Sequence, residues 1–236
     1  MKVKQALVAI GGNGNRLKEG SFKFQYSKPF IKINGKTILY YCLNNIHKAG
    51  IDNIIIIGNK KSQLKAAKNT IRDLPFRFSK VIYYKDNGLG TTGLPYHVRH
   101  HLNYNFFFEF GHNITLPSHY KKMEKLKSKM FIVCSIFKTK NYTTRPFIRI
   151  YKNIIKSLDI LSRKNDYAVA APYLLDRNYI FLLPKFKFNS YKLIQHYIVN
   201  NKLLTVRSYF PIEVDVKNDL RKFFSFFKKH PKNLLI

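Results

Sequence analysis

The sequence is short of acidic residues and cysteines, and it contains no tryptophan. Its 236 residues include 12 Asp and Glu against 43 Lys and Arg, which gives a formal net charge of +31. The only cysteines are Cys42 and Cys134, too few for a disulfide framework or a cysteine-based zinc site. The composition therefore predicts a reduced, cytoplasmic setting and leaves few carboxylates that could hold a metal ion.

Long apolar runs are also missing. Lys2 and Lys4 precede an apolar stretch near the N-terminus, but this stretch runs only over residues 6–10 before Gly11. It is shorter than the core of a signal peptide, and no other stretch approaches the ~18 apolar residues of a membrane span. The sequence thus predicts neither a secretion signal nor a transmembrane helix.

The chain does contain enough apolar material for a core. Hydrophobic residues make up 45% of it, with 20 Phe and 16 Tyr. The excess of positive charge favours polyanionic partners such as nucleotides, nucleic acids or an anionic membrane surface. A chain rich in Lys, Asn, Ile, Phe and Tyr is also expected from an AT-rich coding sequence, so charge alone does not assign a nucleic-acid partner.

Apolar runs alternate with segments of helical period. Such runs predict buried strands, which we place at 5–10, 53–58, 80–84, 105–110, 130–137 and 167–173. Helices are predicted over 37–50, with Thr37 as N-cap and Gly50 as the stop, around 190–200, and at the C-terminus. We therefore expect a single α/β domain, a Rossmann-like three-layer sandwich with a mainly parallel mixed sheet.

A glycine-rich loop, AIGGNGNRL at 9–17, ends the first predicted strand. Its glycines are Gly11, Gly12 and Gly14. Glycines let backbone N–H groups approach a ligand closely, and a loop that leaves a strand in this way commonly binds a phosphate or a base. A G-x-G-x-x-G motif fails because the third position is Leu17. A Walker A motif ending in GKT at 35–37 fails because Phe30 stands where its first glycine belongs.

Two stretches together carry a more specific pattern, ALVAIGGNGNRL from residue 6 and SKPFIKINGKTILYYCLNNIHKAGIDNIIII from residue 27. They resemble the N-terminal signature of the nucleotidyltransferase family that joins NTPs to sugar 1-phosphates or to phospho-alcohols such as phosphocholine. The shared features are an apolar strand, G-x-G-x-R, a later lysine, a glycine turn and a helix before the next strand. Weaker similarity continues in NGLGTTGL at 87–94 and IEVDVKNDLRKF at 212–223.

The resemblance implies a role for each matching residue. In nucleotidyl transfer a phosphate oxygen attacks the α-phosphorus of an NTP and pyrophosphate leaves, so cations must screen two highly charged reactants. On the family pattern Arg16 would bind the departing pyrophosphate, and Lys28 would neutralise the α-phosphate and the incoming phosphate. The glycine loop would hold the nucleotide, with Gly90 and Thr91 at the base. The alternative for Arg16 and Lys28 is two solvated charges among 43.

The resemblance also implies a magnesium ion bound by two aspartates, of which only one is present. Asp215 occupies one position, whereas in FFFEFGHN His112 stands where the second aspartate belongs. Imidazole is a poor ligand for magnesium, which leaves three explanations open: another metal such as Mn, magnesium held by Asp215 and phosphates alone, or a lost active site. Glu109 does not replace the aspartate, because strand residues three apart point to opposite faces.

We therefore expect a Mg- or Mn-dependent nucleotidyltransferase that makes an NDP-sugar or CDP-alcohol from an NTP and a phosphorylated sugar or alcohol, without need of nucleic acid. Residues 1–115 are expected to form the nucleotide-binding half, and residues 116–236 the acceptor-binding and closing half. Two alternatives stay open. His112 favours a module of the same fold that binds a nucleotide without turnover, and the charge favours a basic nucleic-acid-binding protein.

Overall fold

The structure is a computed structural model that describes residues 2–11, 27–126, 132–138, 147–151, 154–159, 167–200, 202–207 and 212–213. The strands in these ranges are β1 (Gln5–Ala9), β2 (Lys32–Ile33), β3 (Lys36–Thr37), β4 (Asn53–Gly58), β5 (Lys80–Lys85), β6 (Asn105–Phe110), β7 (Asn113–Ile114), β8 (Ile132–Lys138), β9 (Phe147–Tyr151), β10 (Ile154–Asp159), β11 (Tyr167–Asp176), β12 (Leu203–Arg207) and β13 (Ile212–Glu213). The helices are α1 (Ile38–Lys48), α2 (Lys61–Arg72), α3 (Gly90–His97), α4 (Pro117–Lys125), α5 (Arg177–Leu182) and α6 (Ser190–Val199). Among the described helices, none has the length and apolar character needed to cross a membrane.

Nine strands form one sheet. Its main order is β10, β9, β11, β6, β1, β4, β5, with β8 also paired to β11 and β12 paired to β8. β1 lies between β4 and β6 and is parallel to both, and β4 is parallel to β5. β11 runs antiparallel to β6, β8 and β9. The predicted fold, a single Rossmann-like α/β domain with a mixed sheet, is confirmed.

Helices cover both faces of this sheet. Side chains alternate along a strand, so Leu7 and Ala9 of β1 face one core while Ala6 and Val8 face the other. Residues of α3, α5 and α6 pack into the first core, and residues of α1, α2 and α4 into the second. Because the central strands are buried on both faces, they appear in the sequence as continuous apolar runs rather than alternating ones.

Helix α1 begins and ends where the sequence predicts. The hydroxyl oxygen of Thr37 accepts a hydrogen bond from the N–H of Tyr40 at 3.1 Å, as expected of an N-cap. Gly50 follows the helix with φ of +86°, a left-handed conformation that favours glycine. The apolar side of α1, including Cys42 and Ile46, is buried in the second core.

Most other predicted elements are also present. The strands predicted at 5–10, 53–58, 80–84 and 105–110 are β1, β4, β5 and β6, and the later two predicted strands are β8 and β11. The helix predicted around 190–200 is α6. The predicted C-terminal helix lies outside the described residues.

Candidate active site

The carboxyl ends of four parallel strands lie side by side at one edge of the sheet, in the order β6, β1, β4, β5. His112 follows β6, Gly11 follows β1, Asn59 follows β4, and Gly90 follows β5 after a short connection. In α/β proteins, ligands bind at the carboxyl ends of the strands. The fold therefore brings three predicted site residues, His112, Gly11 and Gly90, to one edge, which we call the strand-end edge.

Gly11 starts the glycine-rich loop beside Asn59. The preceding residue, Ile10, donates its N–H to the carbonyl of Ile57 at 2.8 Å, so the chain leaves β1 while still bonded to β4. A Cβ atom on Gly11 would lie 3.8 Å from the nearest atoms of Asn59, an ordinary contact. The described neighbours thus leave room for a side chain at this position. Three further predicted residues lie outside the described ranges: Gly12, Gly14 and Arg16.

Lys28 is buried, with 8% of its surface exposed, in a 3₁₀ turn formed by Lys28–Phe30. Lysine is almost never fully buried in proteins unless its charge is paired. The carbonyl of Ile31 accepts a hydrogen bond from the N–H of Ile38 at 2.9 Å, so the turn lies beside the first residue of α1. Because α1 connects the parallel strands β1 and β4, it starts at the strand-end edge, and Lys28 therefore stands at that edge.

Gly90 and Thr91 form the first turn of α3, and both are exposed. Gly90 has φ of +69°, a conformation that favours glycine. The N–H of Gly88 donates to Asp86 Oδ1 at 2.9 Å and closes the turn that leads into the helix. The backbone conformation is thus sufficient reason for a glycine at position 90, and the first turn of α3 is open to solvent at the strand-end edge.

His112 lies in the turn between β6 and β7 and is partly buried. Its ring stacks on the ring of Phe110, with centroids 5.6 Å apart and an interplanar angle of 11°. The N–H of Gly111 donates to the carbonyl of Ala9 at 2.8 Å. A Cβ atom on Gly111 would lie 2.8 Å from Ile10 Cγ2, closer than real Cβ atoms approach a neighbour. The turn that carries His112 is therefore pressed against β1.

Glu109 is completely buried beneath this turn, and its carboxylate accepts four hydrogen bonds. Oε1 accepts from the N–H of Phe110 at 2.8 Å and from Asn113 Nδ2 at 2.9 Å. Oε2 accepts from Thr115 Oγ1 at 2.9 Å and from Tyr120 OH at 2.8 Å. Burial raises the pKa of Glu109 to about 7, while the hydrogen bonds act in the opposite direction. Both oxygens of Glu109 are thus occupied by hydrogen bonds within the protein.

The described residues do not form a complete metal site. Within the described ranges, no three His, Cys, Asp or Glu side chains are grouped so that they could hold a metal ion. His112 offers a single imidazole, and Asp215 lies outside these ranges. β13 pairs antiparallel with β7, with Glu213 opposite Asn113. The chain segment that leads to Asp215 therefore meets β7 immediately beyond His112.

A second buried polar cluster, which the sequence analysis missed, lies between α4, β8 and β11. His119 Nε2 is 2.8 Å from Ser135 Oγ, and Ser135 Oγ donates to the carbonyl of Pro172 at 3.0 Å. Because the serine proton goes to that carbonyl, His119 donates to Ser135 and carries its proton on Nε2. Burial lowers the pKa of His119 to about 4, and the charge of Lys122 adds to this effect. Both side chains are buried, so we interpret the cluster as part of the core.

Comparison with solved structures identifies the same fold in several enzymes. The inositol-1-phosphate CTP transferase from T. maritima is 16% identical, with a TM-score of 0.79, over 99% of this chain and 98% of that one. A putative glucose-1-phosphate thymidylyltransferase from Bacillus anthracis is 13% identical, with a TM-score of 0.78, over 94% of each chain. A UDP-glucose pyrophosphorylase is 15% identical, with a TM-score of 0.76, over 97% of this chain and 99% of that one.

Sequence comparison adds the family. No curated protein matches the sequence significantly. The family model described as Nucleotidyl transferase matches residues 5–144, more than half of the chain. The matched region contains the four parallel strands and the loops that form the strand-end edge. On this match, and with the fold just described, the chain belongs to the nucleotidyl transferase family and is a nucleotidyltransferase.

Proposed function

We propose that the protein transfers a nucleoside monophosphate from an NTP to a sugar 1-phosphate or a phospho-alcohol and releases pyrophosphate. The observation that carries the proposal is the convergence of Gly11, Gly90 and His112 at the strand-end edge, with Lys28 buried beside it. The three structural neighbours described above support it: the names of two specify a nucleotidyl transferase of inositol 1-phosphate or glucose 1-phosphate, and the third is named as a UDP-glucose pyrophosphorylase. The products would be an NDP-sugar or a CDP-alcohol.

The reaction is a single displacement at phosphorus. An oxygen of the acceptor phosphate forms a bond to the α-phosphorus, and the bond from that phosphorus to the bridging oxygen of pyrophosphate breaks. Both reactants are anions, so positive side chains must hold them together in line. We assign Lys28 to the α-phosphate and the acceptor phosphate, and Arg16 to the departing pyrophosphate. The burial of Lys28 strengthens its field, since less water screens it.

The nucleotide is proposed to lie along the strand-end edge. Backbone N–H groups at Gly11, Gly12 and Gly14 would hold it, with Gly90 and Thr91 at the base. In this arrangement residues 1–115 form the nucleotide-binding half, and residues 116–236 form the acceptor-binding and closing half. We also propose a cytoplasmic location, which the two free and buried cysteines support.

A divalent cation is part of the proposal. We assign Asp215 and the nucleotide phosphates as its main ligands, with His112 as a nitrogen ligand. Magnesium strongly prefers oxygen, whereas manganese accepts imidazole more readily, so His112 favours Mn²⁺ over Mg²⁺. Such an ion would neutralise phosphate charge in the complex.

A second candidate function is nucleotide binding without turnover. The observation that favours it is the single imidazole at position 112, with no three-residue metal cluster in the part of the chain that the structure describes. Such a protein would keep the strand-end edge as a binding surface and lack the chemistry. This alternative and the proposed transfer differ in one measurable product, pyrophosphate.

The experiment is pyrophosphate release from each of ATP, GTP, CTP, UTP and dTTP, with Mg²⁺ or Mn²⁺, against a set of sugar 1-phosphates and phosphocholine. Release with one nucleotide and acceptor pair supports the proposal and identifies both substrates. No release, combined with a higher melting temperature in an NTP, supports the binding module instead. Neither response, together with steeply salt-dependent binding of RNA or DNA, supports a nucleic-acid-binding protein.

A further inference from the structure

We infer that Glu109 is a positioning residue that holds the turn carrying His112 in place. The inference deepens the proposed function, on which it rests for the importance of His112. Glu109 does not face the strand-end edge. Its side chain lies on the face of β6 that packs against the second core, where it contacts Asn113 of β7 and Tyr120 of α4. Its effect on the reaction would therefore pass through the backbone of the turn rather than through contact with a substrate.

The four hydrogen-bond donors show what the carboxylate holds. The N–H of Phe110 lies directly before the turn, the side chain of Asn113 lies directly after it, and Thr115 follows at the end of β7. One carboxylate thus ties together both ends of the segment in which His112 stands. The fourth donor, Tyr120, connects the same carboxylate to α4.

The chemistry of the group explains why this arrangement is rigid. A carboxylate has about four lone-pair sites, and the four donors fill all of them. A buried carboxylate that lost one of these hydrogen bonds would destabilise the folded protein. Movement of any donor away from Glu109 is therefore unfavourable. No other residue type of similar size accepts four hydrogen bonds at once, because Gln replaces one oxygen with an NH₂ donor.

Contacts around the turn transmit any movement of these hydrogen-bonded residues to His112. Gly111 is packed too tightly against Ile10 to accept a Cβ atom, so the turn has little room to adjust. The ring of His112 stacks on Phe110, whose N–H is one of the four donors. Asn113, another donor, pairs through its backbone with Glu213 of β13. The network therefore acts on His112 and on the strand that leads to Asp215.

Two matched variants separate positioning from general support of the fold. Asn113→Ala removes the hydrogen bond that ties the carboxylate to the strand after His112. Tyr120→Phe removes the hydrogen bond to α4 and leaves the turn bonded on both sides. Each loses one buried hydrogen bond, which should lower the melting temperature by about 2–4 °C in Tyr120→Phe and by more in Asn113→Ala, because the alanine also leaves a small cavity.

The first readout is the NMR signal of the His112 ring in the free, full-length protein, assigned by its loss in His112→Asn. Stacking on Phe110 makes these ring protons sensitive to small movements of the turn. We expect shifted or broadened His112 signals in Asn113→Ala and wild-type signals in Tyr120→Phe. Unchanged His112 signals in Asn113→Ala, or equal changes in both variants, would overturn the inference.

The second readout is turnover with the substrate pair found for the wild type. We expect kcat to fall about tenfold or more in Asn113→Ala, with little change of KM for the NTP, and to stay near wild type in Tyr120→Phe. Equal kcat losses in the two variants would contradict positioning through the turn. If the wild type releases no pyrophosphate, the proposed function fails, and the NMR comparison still decides whether Glu109 positions His112.

Discussion

The two halves of the chain, residues 1–115 and 116–236, contribute strands of different direction to one sheet. In the first half β1, β4, β5 and β6 are parallel, so the segment after each strand opens on the same edge. In the second half β11 runs antiparallel to β8 and β9, β10 runs antiparallel to β9, and β12 is parallel to β8, so the carboxyl ends of these strands are divided between the two edges. The parallel half therefore collects residues that are far apart in the sequence, while the antiparallel half uses its buried polar groups, such as His119 and Ser135, to hold itself together.

This contrast predicts that substitutions at strand ends of the first half change activity, whereas substitutions of buried polar groups in the second half change stability. The largest effect is expected at Lys28. Lys28→Met keeps the length of the buried side chain and removes its charge, and it should lower kcat/KM by about 10²–10³-fold, as is typical when one group that stabilises transition-state charge is lost. The measurement is steady-state pyrophosphate release.

The matched control is Lys32→Met, because Lys32 is exposed and lies close to Lys28 in the chain. It removes the same charge and is expected to leave kcat/KM near wild type. If both variants are equally active, Lys28 has no role in transfer, and if both lose activity equally, the effect belongs to net charge.

Two glycines provide the next test. A Cβ atom on Gly111 would meet Ile10 Cγ2 at 2.8 Å, so Gly111→Ala should reduce the free energy of unfolding by about 1–3 kcal/mol. Gly11→Ala meets only ordinary contacts at 3.8 Å among the described neighbours, so it should fold normally and weaken NTP binding. Urea unfolding and nucleotide titration measure the two effects. Normal nucleotide affinity in Gly11→Ala would remove Gly11 from the binding site.

In the second half the corresponding test is Ser135→Ala. It leaves the ring N–H of His119 and the carbonyl of Pro172 without their partner, which should cost about 1–3 kcal/mol of the free energy of unfolding. Ser118→Ala, at an exposed position of α4, should change this free energy by less than about 0.5 kcal/mol. The expected kcat of folded Ser135→Ala equals that of the wild type, and a large drop in kcat would mean that this cluster belongs to the active site.

The most gradual effect concerns pH. The folded-state pKa of His119 is lowered to about 4, so the unfolded chain binds more protons between about pH 6.5 and 4, and stability is lost as pH falls through that range. The folded-state pKa of Glu109 is raised to about 7 from 4.5, so the unfolded chain binds fewer protons in between, and stability falls as pH rises from about 4.5 to 7.

Melting temperatures of His119→Gln and Glu109→Gln, measured from pH 4 to 8 and compared with the wild type, check these signs. Relative to each variant, the wild type should lose stability toward low pH through His119 and toward neutral pH through Glu109. For each variant, the difference in melting temperature from the wild type is plotted against pH. If the two plots slope in the same direction, one of the two assignments is wrong.

The sequence predicts the first half of the fold well, for a physical reason. Strands buried on both faces require continuous apolar runs such as NIIIIG at 53–58, and these are visible without a structure. The cap at Thr37 and the stop at Gly50 depend on local chemistry, so they are equally visible. The strands β9 and β10 were not predicted, since the sequence around them lacks such long apolar runs.

The candidate site is predictable only in part. The resemblance implies roles for Lys28, Gly90 and His112, and the parallel topology explains why Gly90 and His112 lie at the same edge of the sheet. The four hydrogen bonds of Glu109 could not be predicted, because which donors reach a buried carboxylate depends on how β7 and α4 pack. A glutamate inside the apolar run NFFFEF does signal a buried charge that needs partners, and this signal identifies the residue without its partners.

The pairing of β7 with β13 sets an order of events during biosynthesis. Ile114 pairs with Ile212, which is made 98 residues later, so about 5–20 s of translation separate the two strands. The parallel strands β1, β4, β5 and β6 all lie before residue 111, and none of them pairs with β13. The strands that form the strand-end edge are therefore all synthesised well before the partner strand of β7.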